Sequence, residues 1–135
     1  MDTLNEDFDL AAFEDVLSSE LTIRDPLTGA PTPLVITIAG PEHPDRKRDE
    51  FARSRRMRAE LMKTGKVQLE DPEEEEADAT ERIARYILGW KGLRTPYTPA
   101  AALALVSDPK RRWLREQIRV ALEERDRFIQ RSAAA

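Results

Sequence analysis

The chain has 135 residues, with 26 acids against 22 bases for a net charge of −4, one histidine and no cysteine. The lack of thiols excludes thiol catalysis, thiolate metal sites and disulfides, and His43 alone cannot supply a His–His metal pair. Charged residues make up 36% and aromatics 6%, a balance that predicts a thin core and leaves apolar helix surface in need of cover.

Residues 1–19 read as an acidic arm, since the acids from Asp2 to Glu20 meet no base. Leu10, Phe13, Val16 and Leu17 stand at helical spacing in it. The pattern is too short to hold alone, so the arm is either a conditional helix or extended. MDTLNEDFDL is acidic where a signal peptide would be basic, and no apolar run reaches the ~18 residues of a membrane span. Residence inside the cell is the expectation.

A single small domain is expected over 20–131. Leu21 and Ile23 alternate with Thr22 and Arg24, and Leu34, Ile36 and Ile38 with Val35, Thr37 and Ala39. These period-2 segments flank a Pro/Gly-rich connection and predict a β-hairpin over about 20–40. A charged helix follows from Pro44 to about Thr64, closed by Gly65. Asp71-Pro72, Thr98-Pro99 and Asp108-Pro109 each place a capping side chain before a proline suited to the first helical position. They predict helices over Pro72–Leu88, Pro99–Val106 and Pro109 to about Arg131. Residues 132–135 read as a disordered tail. The fold class expected is mostly α with a small N-terminal β-hairpin (α+β), a bundle of three to four helices around a small core.

The helix DRKRDEFARSRRMRAELMK carries cations able to line a phosphate backbone. Asp45, Asp49, Glu50 and Glu60 interrupt them, so an exposed helix with internal ion pairs is the better reading. Glu73 to Glu76 fill a first turn, where the helix dipole favours anions; that outweighs a dedicated acidic patch. Lone His43 in a Pro-rich turn is a surface or cap residue. No glycine spacing cradles phosphate and no serine occupies a G-x-S-x-G elbow. The reading assigns no catalytic residue, no cofactor and no metal, and the chain is not expected to be an enzyme.

Two apolar faces are candidates for partner binding: Phe51, Met57 and Leu61 on the charged helix, and Leu114, Ile118 and Phe128 near the C-terminus. One is expected to serve a client and the other the core. Tyr86, Trp90 and Trp113 are the expected core anchors, two of them with rings large enough to join three helices. Segregated acidic and basic blocks predict a homo-oligomer held by ionic contacts.

A helix ending in hydrophobics (Ile83, Tyr86, Ile87, Leu88), then Trp90-Lys91-Gly92, then TPYTPAAALALVSDP and a closing aromatic in RFIQ resembles the tail assembly chaperones of long-tailed bacteriophages and prophages. LTIRDPLTGAPTPLVITIAGPEHP with the charged helix behind it resembles the front half of those proteins. The likeness spans about residues 20 to 130, and Arg127 departs from a pattern that often has a polar residue or asparagine there. It implies a protein of the host bacterial cytoplasm that binds the tape measure protein, keeps it soluble and promotes tail tube assembly around it. Such a protein is not part of the mature virion. Tail tube subunits are the second implied partner, and the family has some members made in two lengths by frameshifting. The competing expectations are a permanent minor tail or head-tail connector subunit and, behind it, a small nucleic-acid-binding regulator.

Overall fold

The computed structural model describes residues 7–66 and 69–132. The hairpin forms as strands β2 (Ser18–Arg24) and β3 (Pro31–Ala39), with a short strand β1 (Phe13–Asp15) before them. Asp25 shapes the turn, its Oδ1 accepting from the amides of Leu27 at 2.8 Å and Thr28 at 3.1 Å. Such a side-chain turn competes well with further strand pairing. Helix α1 spans Pro44–Thr64, α2 Pro72–Arg85, α3 Pro99–Ser107 and α4 Arg112–Glu123. Strand β4 is Ile87–Lys91 and β5 is Ile129–Arg131.

Each expected proline start is capped as its chemistry requires. Asp71 accepts from the Glu73 amide, Thr98 from Ala101 and Asp108 from Lys110. His43 caps α1, its Nδ1 accepting from the Asp45 amide at 3.1 Å. Gly65 closes that helix at φ 72°, donating its amide to Leu61 O, a left-handed conformation that glycine adopts without Cβ strain.

A helical bundle with one small hairpin is not what this sequence builds. Among the described residues, five antiparallel strands form two sheets, ordered β2-β3-β4 and β1-β5. The segment Ile87 to Lys91, expected as helix end and turn, is a strand pairing with β3, with Ile38 opposite Ile87 and Ile36 opposite Trp90. A hairpin alone is marginal, and the open edge of β3 recruits the apolar run after Tyr86 in place of another helical turn. The last helix stops at Glu123 because Glu124 to Arg127 carry no apolar residue to continue its buried stripe. A 3-10 turn over Arg125–Phe128 then swings Phe128 inward, and β5 pairs with β1.

The pattern at Leu10, Phe13, Val16 and Leu17 is likewise no α-helix: Leu10–Ala12 form a 3-10 turn and Phe13 opens β1. Phe13 stands opposite Arg131, so residues from 13 onward belong to the fold instead of a free arm. Of the expected tail, 133–135 lie outside the described residues; Ser132 donates its amide to Ala12 O at 2.8 Å.

One core joins sheet and helices. Leu21, Ile23, Ile36, Ile38 and Ile87 from the strands pack with Ile83, Val106, Leu114, Ile118, Leu122 and Phe128. Helices α2, α3 and α4 touch one another, and α4 lies on β2 and β3, giving a two-layer arrangement. Each fully buried aliphatic or Phe side chain here contributes about 1.5–3 kcal/mol. Polar clamps fix the layers. Gln117 donates to Arg24 O at 2.8 Å and accepts from the Arg24 amide at 2.9 Å, holding α4 to the end of β2. Arg115 donates to Thr80 Oγ1, Val106 O and Glu76 Oε1, tying α4 to α2 and α3.

Candidate partner-binding surface

Helix α1 has 21 residues and buries none of them. At ~1.5 Å per residue it is about 31 Å long, and the rest of the protein holds it only by its first turns. Arg46 is the main fastening. Its guanidinium donates to Ala39 O at 2.9 Å and Leu122 O at 3.1 Å, pairs with Glu50 at 3.0 Å, and lies 5.2 Å from the Tyr86 ring centre. The planar fork of arginine suits this combination of carbonyl and ring contacts.

One turn on, the Asp49 carboxylate accepts from Tyr86 Oη at 2.6 Å and from Arg85 Nε at 2.9 Å. Burial alone would raise the Asp49 carboxyl, but the Tyr86 hydrogen bond and the Arg85 pairing together hold it below its ordinary value. Burial, and then the bond to Asp49, push the Tyr86 phenol well above its ordinary range. The pair therefore sits as anion and neutral donor across the working range of pH.

Beyond Glu50, no hydrogen bond or ion pair among the described residues links α1 to another element. Phe51, Met57 and Leu61 are 56%, 59% and 45% exposed, and Met62 is barely covered at all. Of the two expected partner-binding faces, this is the open one. Leu114, Ile118 and Phe128 are shut in the core, so of the two faces this is the one that serves the core and does not bind a partner, and the stripe on α4 is apolar because it faces the sheet. Helical spacing marks both stripes equally, and only the tertiary arrangement separates them.

The expected core anchors divide. Tyr86 is buried. Trp90 is half-buried on β4, its indole Nε1 donating to Thr95 O at 2.9 Å and its ring meeting Tyr97 edge-on at 5.2 Å. Trp113 is 37% exposed at the start of α4, so it is no core anchor. It stands one position off the buried stripe, next to Leu114.

Sequence reasoning missed the fastening of α1 entirely. Arg46 and Asp49 sit in a run of alternating charges that looks uniformly solvated, and nothing local distinguishes them from Lys47 or Glu50. It also missed an open groove of about 900 Å³ beside the root of α1. Its floor is apolar, with Ala84, Leu88, Tyr97, Ala100 and Leu103. Among the described residues, no three acids or histidines come together as metal ligands would, and no helix is long and apolar enough to cross a membrane. What the surface offers is a projecting helix with uncovered apolar side chains beside a groove, an arrangement suited to gripping another protein chain. Comparison of the chain with protein-family models, with curated proteins and with solved structures gave no match.

Proposed function

We propose that this chain is a tail assembly chaperone of long-tailed phages or prophages, working without catalysis in the host bacterial cytoplasm. It binds the tape measure protein, keeps that protein's hydrophobic helices soluble, brings tail tube subunits to it, and leaves before the particle is complete. The observation that carries the reading is the unsupported α1 helix, with Phe51, Met57 and Leu61 open to solvent. An isolated helix in water gains little stability from its own hydrogen bonds, and apolar residues on it become favourable when a client helix covers them. The order of elements behind the resemblance supports the same reading. The Trp90-Lys91-Gly92 element, the run Thr95 to Pro109 and the closing Phe128 follow one another as described for that family, although the first of these lies in a strand.

Co-expression with the tape measure protein encoded beside it tests the proposal, together with mass spectrometry of finished particles. The expected result is capture of the client and absence from the particle. Replacing Phe51, Met57 and Leu61 together by aspartate should cut capture by about tenfold or more while circular dichroism still reports a folded body. Stoichiometric presence in particles would make it a permanent tail or connector subunit, and failure to capture the client would end the chaperone reading.

A further inference from the structure

Helix α1 changes character along its length. In its first turns every base has a partner: Arg46 pairs with Glu50, Lys47 with Glu42 and Arg48 with Asp45. From Phe51 to Thr64 it carries Arg53, Arg55, Arg56, Arg58 and Lys63 against Glu60 alone. None of these six forms an ion pair among the described residues. Phe51, Arg55, Arg58 and Met62 follow one another at spacings of four, three and four, which sets them in a single stripe. At about 100° per residue the stripe lies on the side of α1 away from Asp49 and Arg46, the residues that fasten the helix to the body. Met57 and Leu61 flank it on one side, and all these stripe and flank side chains are exposed. From Phe51 to Met62 the stripe is about 17 Å long, or three helical turns.

We propose that the segment seated on this stripe is an acidic amphipathic helix of the client, with carboxylates beside its apolar residues. Cationic and apolar side chains are interleaved here, and a partner has to answer both. A wholly apolar helix would cover Phe51 and Met62 but strip water from Arg55 and Arg58 without giving them a partner, which is costly. A phosphate backbone would pair with the arginines and leave Phe51, Met57, Leu61 and Met62 uncovered. Carboxylates at helical spacing can take the two guanidinium groups in bidentate hydrogen bonds, while apolar residues between them close over the phenylalanine, leucine and methionines. Like charge turns basic segments away, so the stripe selects as well as binds. The inference rests on the reading of α1 as the client-binding element, and it adds the chemistry of the client helix that α1 takes.

Two synthetic helical peptides with the same leucine stripe, one flanked by glutamates and the other by lysines, test this on the full chain by fluorescence anisotropy. Expected is binding of the glutamate peptide about tenfold or more tighter than the lysine peptide, a preference that shrinks as salt rises. Arg55→Glu with Arg58→Glu should reverse the preference, and the neutral pair Arg55→Gln with Arg58→Gln should level it, each with an unchanged circular dichroism spectrum. Equal binding of both peptides, binding of neither, or a preference that both variants leave untouched overturns the proposal. So does tighter binding of duplex DNA or of anionic lipid vesicles than of the glutamate peptide. Sedimentation equilibrium of the free chain covers the last occupant: a dimer that Arg55→Glu with Arg58→Glu dissolves would put a second copy on the stripe and overturn the proposal as well. The two readings fail separately. Capture of the tape measure protein that is indifferent to both arginine variants would sink the acidic-helix inference and leave the chaperone reading. Selective binding of the glutamate peptide without capture of the tape measure protein would do the reverse.

Discussion

Asp49 is where a single carboxylate decides how α1 leaves the body. Its carboxyl is held below the ordinary value of 3.8, so the stabilisation it gives is present in full above that value. It is lost as pH falls through the lower folded value. Asp49→Asn should therefore be less stable than the wild type at neutral pH, by about 1–2 kcal/mol. That gap should begin to narrow as pH falls below about 4 and should close only at the lower pH where the folded wild-type carboxyl itself becomes neutral. Urea denaturation of the two proteins side by side at several pH values checks this; a gap that stays constant to pH 3 would show that Asp49 acts through shape and not charge. At this scale the sequence was least legible. Caps such as Thr98 announce themselves by their neighbours, because a cap acts on amides two or three residues away. Arg46 finds its carbonyls at Ala39 and Leu122, and the second partner is too distant in sequence to leave a local sign.

Among the elements, two amphipathic helices look alike in sequence and differ wholly in setting. Ile118 of α4 is fully buried against the sheet, whereas Leu61 of α1 is 45% exposed. Ile118→Ala should cost about 2–5 kcal/mol through lost burial and the cavity left behind. Leu61→Ala should fall within about 0.5 kcal/mol, as surface changes usually do. Thermal denaturation of both variants measures the contrast, and a Leu61 change as costly as that of Ile118 would mean α1 is covered in the free protein. The helix starts, the hairpin and the closure of α1 at Gly65 were readable because each depends on neighbours along the chain. Strand β4 was not, since Ile87 to Lys91 become a strand only through the vacant edge of β3. The same holds for β5, whose partner is at the other end of the protein.

For the molecule as a whole, the mixture of settings explains why composition predicted so little core and the fold still makes one. Among the described residues, sixteen hydrophobic ones are buried together, nearly all in the sheet and in α2 to α4, while α1 spends its length in solvent. Function, in the reading proposed above, belongs to the part that contributes least to that core. The sheet of β1 and β5 is a different case. Gln130 reaches Glu14 across 116 positions of chain, and bringing such remote points together costs about 4 kcal/mol of loop entropy if nothing else has yet shortened the path. The rest of the core shortens it, so this pairing is expected to close after the rate-limiting step. Weakening it, for instance with Ile129→Ala, should then leave the folding arm of a chevron plot almost unmoved and accelerate the unfolding arm, a φ-value near zero. The join between the two ends of the chain would thus act as a latch on unfolding, setting how long the native state persists while leaving the speed of its formation to the core.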